Sequence, residues 1–323
     1  MPSTAQLTPE QRAAIRLVLA ETVTATGRAH RRIGWSRGLA IIGSGVLTAG
    51  VAVVVALGAA QPPAGGPEQS ASSVLEKAAA AVRDEPVVQP GQYLVVRTRA
   101  DYLAISSLGG DEYTAYVAPE IEETFHPYRH DEPTVRRTTY LRPTVFYGAG
   151  AEEQAARDWA GQKDKVVVKR GPQPPVPELG GGTAPPPLDP GTLPLEPAEL
   201  LAFLRSHLLA VSMPPDENAF RQALELLKPG DAPPPVRTAL YQALALIPAV
   251  TITGRTSVLG GAEGTTLALT TDAGAGRQEI VIDPVSGQYL GERAITVHGF
   301  GAIPAGTVME STSVTLSVVD QAP

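Results

Sequence analysis

The longest apolar run in the chain covers residues 39–60, twenty-two positions without a charge. At 1.5 Å of rise per residue such a helix reaches about 33 Å, enough to cross a hydrocarbon core of about 30 Å. The run therefore predicts one membrane-spanning helix over residues 38–60. Elsewhere the apolar positions recur at helical or strand spacing. Thr8, Pro9 and Gln11 form a helix start, followed by Ile15, Val18 and Leu19 on one face. Ser72 or Ser73 is expected to cap a helix to about residue 84, with Val74, Leu75, Ala78 and Val82 inward. A short helix follows over residues 152–161. Three apolar stripes predict further helices: Leu200, Leu201, Leu204 and Leu208; Phe220, Leu224 and Leu227; Val236, Leu240, Leu244 and Ile247.

Between these helices the period drops to two. Residues 92–98, 101–107 and 112–117 read as short strands, with Gly109 and Gly110 at a turn. Residues 136–141, 144–147 and 165–169 read as further strands. The tail predicts five: 250–259, 265–271, 278–283, 289–297 and 308–318, with a tight hairpin over residues 283–287. The last strand alternates Thr312, Val314, Leu316 and Val318 with Ser311, Ser313, Thr315 and Ser317, so one buried and one wet face is expected.

This order implies an α+β fold: one N-terminal transmembrane helix, then an extracytoplasmic antiparallel-sheet domain with helices, compatible with a curved half-barrel. The expected divisions are a short cytoplasmic amphipathic segment 1–37, the span 38–60, a linker 61–71, an N-terminal α+β lobe 72–170, a Pro/Gly-rich loop or linker 171–197 without regular structure, and a C-terminal lobe of helices and sheet 198–323.

Charge orients the span. Residues 1–37 hold six arginines against two glutamates, whereas the remainder holds 20 basic against 31 acidic residues. Basic residues flanking a span stay on the cytoplasmic side, so the N-terminus is expected inside and the bulk of the chain outside. The acidity of that bulk argues against nucleic-acid binding. A cleaved twin-arginine signal using Arg31 and Arg32 is the rival reading, but the apolar run exceeds the 7–15 residues or so of a signal core. There is no cysteine, which removes disulfides, thiolate zinc sites and a thiol nucleophile together.

Two stretches carry a resemblance. Arg237 to Val250 contains Ala243-Leu244-Ala245-Leu246-Ile247-Pro248, and Ile282-Asp283-Pro284 leads through Gly287 to Leu290-Gly291-Glu292. With Pro90-Gly91-Gln92-Tyr93 opening the first β region, they make the chain resemble a family of actinobacterial single-span membrane proteins. Members of that family are often encoded beside extracytoplasmic-function sigma factors. The resemblance implies a membrane-anchored sensor or regulator in such a system, partnered by a sigma factor or an envelope protein. Zinc-type anti-sigma domains carry His and paired Cys in their cytoplasmic part; here only His30 is present, so contact with a sigma factor would fall to the helix within residues 1–37.

Candidate chemistry is sparse. His126 and His130, among Glu120, Glu122, Glu123, Asp131 and Glu132, suggest a divalent-metal site, but the intervening Pro127 and Arg129 oppose it, and a solvated loop is expected there. Gly43-Ser44-Gly45 lies inside the apolar run, Gly180-Gly181-Gly182 lacks a following helix, His207 falls on a leucine-rich helix, and His298 borders Gly299 in a loop. No catalytic, cofactor-binding or metal residue is assigned and no cofactor is expected. A lipid or lipoprotein carrier with an apolar groove is the alternative of a different class, and a metal-assisted hydrolase a weaker one.

Overall fold

The computed structural model describes residues 70–82, 88–109, 112–129, 132–162, 165–169, 188–207, 213–229, 232–271 and 276–323. The expected cytoplasmic segment 1–37, the span 38–60 and nearly all of the linker 61–71 lie outside the described residues. No helix among the described residues is long and apolar enough to cross a membrane.

The first helix, α1 (Ala71–Ala81), starts two or three residues earlier than expected and ends about three earlier. The Ser70 hydroxyl accepts the Ser73 N–H at 3.1 Å, so Ser70 is the cap and Ser72 and Ser73 lie in the first turn. Buried Val74, Leu75, Ala78 and Ala79 form its inner face.

Two long strands follow, where three short ones were expected. β1 (Tyr93–Gly109) runs 17 residues and β2 (Glu112–Pro127) runs 16. β1 pairs along its length with β2, and from Tyr93 to Tyr102 also with the final strand β10 (Val308–Val319). The break in alternation near Arg99 marks a change in which face is apolar: Val96 joins the helix-side core, while Leu103 joins a second cluster on the other side. Ladder hydrogen bonds on both sides carry the backbone straight through that change. For the same reason residues 120–127, expected in a solvated loop, form the second half of β2.

β3 (Thr134–Tyr140), the two-residue β4 (Phe146–Tyr147), α2 (Ala151–Ala160) and β5 (Lys165–Lys169) complete this part. Within the stretch expected to lack regular structure, Pro190–Thr192 makes one 3₁₀ turn, capped by the Asp189 carboxylate on the Gly191 N–H at 2.9 Å. Three helices each open on proline at the first positions, where its missing N–H costs nothing: α3 (Pro197–Ser206), α4 (Pro215–Leu227) and α5 (Pro234–Ala245). Then come β6 (Thr251–Ser257), β7 (Glu263–Thr270), β8 (Gly276–Asp283) and β9 (Gln288–Thr296), leading to β10.

All ten strands belong to one antiparallel sheet, ordered β5-β3-β2-β1-β10-β9-β8-β7-β6, with β4 on β2. The β1–β10 ladder thus joins the segments 72–170 and 198–323 within that sheet. The sheet is open, with β5 and β6 at its ends. Helices α1, α3, α4 and α5 cover one face and share a core with Val96, Leu267, Leu269, Ile280, Ile282, Tyr289 and Val314. Each fully buried leucine of the helix stripes contributes on the order of 1.5–3 kcal/mol. The opposite face is not uniformly wet. Thr315 and Ser317 are exposed as expected, but Ser311 and Ser313 are buried, the latter beneath the turn at Gly261.

The β8–β9 hairpin is pinned from outside. Gly287 has φ +72°, and a Cβ there would sit 2.5 Å from the Val82 nitrogen and 2.6 Å from the Ala78 carbonyl oxygen at the end of α1. Glycine is needed both for the turn and for the approach of that helix.

Candidate functional site

The helix-covered face of the sheet carries a buried ionic cluster at the end of α4. Lys228 follows Leu227, and its N–H still bonds the Leu224 carbonyl at 2.8 Å, so its ammonium leaves the helix at the negative end of the dipole. β9 and β10 place Glu292 opposite Thr312, and Glu310 lies two positions back on the same face of β10. Across the next ladder Glu310 pairs in register with Tyr102 of β1.

The Lys228 Nζ lies 2.9 Å from Glu292 Oε1 and also donates to Glu310. The Tyr289 hydroxyl donates to the other Glu292 oxygen at 3.2 Å. Glu292 is 7% exposed, against about a fifth for Lys228 and Glu310. Burial pushes the Glu292 carboxyl up to about 7; Lys228 opposes that rise, while Glu310 and Glu225 add to it. Burial pulls Lys228 down, but Glu292, Glu310, Glu225 and Tyr102 together hold it well above the usual lysine range. The Tyr102 and Tyr289 hydroxyls are raised chiefly by burial. A lysine held protonated between two carboxylates is a clamp from helix to sheet, not a nucleophile.

A pH dependence follows. Since the folded pKa of Glu292 lies above that of the unfolded chain, folding retains its proton most strongly at low pH. This contribution is fully present below about pH 4.5 and is lost as pH rises through about 7. Titrating from pH 5 to 8 should therefore lower stability by up to about 3 kcal/mol through this group. Urea unfolding of Glu292→Gln across the same range should show a flatter profile; an unchanged profile would assign the dependence to other groups.

None of these residues was singled out for chemistry by sequence. Lys228 is one of only five lysines and ends an apolar helix stripe, and Glu310 interrupts a Val/Ser/Thr strand; those two anomalies are the available signals. Of the residues considered for chemistry, His126 is half-buried on β2 opposite Leu94, whereas His130 lies outside the described residues. Among the described residues no group of three His, Asp or Glu side chains is arranged to hold a metal. His207 ends α3, its ring stacked on Phe203 at 5.7 Å and its carbonyl accepting Asn218 Nδ2 at 3.1 Å. His298 follows β9, and its carbonyl accepts the Thr296 hydroxyl. Residues 43–45 and 180–182 lie outside the described residues.

Fold and site together define an α+β protein whose helical layer is clamped onto one face of a large, open antiparallel sheet. No protein family, no curated protein and no solved structure matches the chain.

Proposed function

We propose that the chain is a non-enzymatic, single-pass envelope protein, its N-terminus cytoplasmic and its sheet domain extracytoplasmic. In this reading it is a sensor or regulator associated with an extracytoplasmic-function sigma-factor system. The uncharged run 38–60, its arginine-rich N-terminal flank and the two C-terminal motifs support that reading. The sheet then acts as a curved half-barrel closed over by its helices.

One observation favours partner binding over the carrier alternative. The space between helices and sheet, where an acyl chain would lie, is filled by the protein's own side chains. Leu200, Phe220, Leu240, Tyr241, Leu267 and Ile280 are all fully buried there. Apolar side chains are instead exposed at the edge of the sheet, on Val166 and Val167 of β5.

The test uses the full chain with a C-terminal tag in its own cells. Protease added outside should remove the tag, and the adjacent sigma factor should copurify with the full chain but not with a chain lacking residues 2–37. A tag spared by protease overturns the topology. Sigma factor retained equally by both chains, or by neither, overturns the direct contact.

A further inference from the structure

The two faces of the sheet are charged differently. On the helix-covered face acids and bases balance: Glu120, Glu122, Glu292 and Glu310 are matched by Arg136, Lys228 and, in register on β5, Lys165 and Lys169, and Arg255 pairs with Glu263. The opposite face carries arginines. Residues paired in register across an antiparallel ladder share a face. One such row crosses Val166 of β5, Arg137 of β3, Glu123 of β2, Arg97 of β1 and Thr315 of β10. Arg99 stands two positions along β1 from Arg97, on the same face.

This row has a surplus of positive charge that its own ion pairs do not remove. Arg137 holds Glu123 through Nε at 2.7 Å, and Arg97 reaches the same carboxylate only at 3.5 Å. Glu123 is mostly buried, while Arg97 and Arg99 are exposed. Asp101, the nearest other acid on this side of β1, is half-buried and its Oδ1 has no hydrogen-bond partner; burial raises its pKa against the pull of Arg99. Farther across the same face, Arg277 and Arg293 share the single, fully buried carboxylate of Glu279. Val166 and Thr315 are exposed at the two ends of the row, and strands about 4.8 Å apart make it roughly 19 Å wide.

We propose that this arginine-bearing face docks on the anionic lipid surface of the membrane that anchors the chain. The inference rests on the anchored reading given above. The nine residues 61–69 between the span and the Ser70 cap reach at most about 32 Å when fully extended, so the domain stays within reach of the headgroups. Beyond the span the chain carries 31 acids against 20 basic residues and is repelled by an anionic surface in most orientations. The face that places Arg97, Arg99 and Arg137 around one shielded glutamate is the one such a surface attracts. Lipid phosphates compete for guanidinium groups that have only weak or shared partners. Docking on this face leaves the helical layer turned away from the bilayer and open to a partner.

The absence of cysteine allows a clean test, since Ser317→Cys on the same face of β10 supplies one labelling site in the full chain. The labelled chain is placed in nanodiscs of phosphatidylcholine with or without phosphatidylglycerol, and its fluorophore is quenched by headgroup-nitroxide lipid. Quenching should be strong only with phosphatidylglycerol and should fade between 50 and 500 mM salt, as the screening length shrinks from about 14 to about 4 Å. Arg97→Gln with Arg99→Gln should reduce the ratio of docked to undocked protein by more than about tenfold, at roughly fivefold per charge. Arg255→Gln, exposed at the far edge on β6 and paired with Glu263, should leave it unchanged. Equal quenching in both lipids, or quenching indifferent to the Arg97 and Arg99 changes, overturns the docking. Flotation of the same samples reports insertion separately. If the chain does not float, the anchor fails, and binding of the free chain to preformed phosphatidylglycerol vesicles then decides whether the face recognises lipid.

Discussion

Lys228→Met is expected to cost about 3–5 kcal/mol of folding stability, the cost of leaving a buried ion pair half-made. Without the ammonium, Glu292 and Glu310, diagonal to each other on adjacent strands, lose the cation they share, and burial then raises the Glu292 carboxyl without Lys228 to oppose it. Domains of this kind are stable by only 5–15 kcal/mol or so, so the loss should be plain in the urea midpoint. The slope of the transition should stay the same, since the folded surface is unchanged. Adding Glu292→Gln and Glu310→Gln to Lys228→Met should restore most of the loss, because neutral amides remove the uncompensated charge and one can still accept the Tyr289 hydroxyl. A single variant within about 1 kcal/mol of the parent would show that the helical layer does not depend on this clamp.

Gly291→Ala should be comparably damaging through a different cause. Gly291 has φ +150°, and a Cβ there would lie 2.0 Å from the Thr312 carbonyl oxygen and 3.1 Å from the Ser313 Cα. Both neighbours are backbone of β10 within the ladder that carries Glu292, so neither can rotate away. Overpacking and backbone strain together should cost about 3–5 kcal/mol. Gly254→Ala is the control: φ is +134° there too, but nothing lies within 4 Å of the added carbon, so only the dihedral penalty of about 1–2 kcal/mol remains. Equal losses for the two variants in parallel denaturant melts would remove the close approach as the cause.

Gly291 and Glu292 belong to the same short motif, and so does Gly287, which abuts the end of α1. In sequence this motif reads as a hairpin with a positive-φ glycine. In the fold it also fixes how β9 meets β10, brings α1 against the hairpin, and supplies the carboxylate that receives Lys228. Conformational need is visible from residue type alone; close approach is not, because the neighbouring atoms come from Ala78, Val82 and Thr312.

The helix stripes of α3, α4 and α5, the hairpin at residues 283–287 and the five C-terminal strands were legible because each expresses a local period that a single buried face imposes. Proline opens each of these helices, at Pro197, Pro215 and Pro234, ahead of the apolar stripes by which they were read. β1 and β2 were read as fragments because their apolar side changes midway, and a strand that is covered on both faces in turn has no steady alternation. The length of those strands is set by their ladders with β10 and with each other, which are contacts between distant parts of the chain. The clamp of Lys228, Glu292 and Glu310 and the arginine row were illegible for the same reason. Residues separated by 64 and 82 positions, or spread over five strands, become neighbours only when register places them side by side. Local periodicity thus determined the kinds of element and most of their positions, since hydrophobic spacing acts within one helix or strand. Strand order and register decided which charges meet and which face each one occupies, because those depend on pairings that no single stretch of sequence contains.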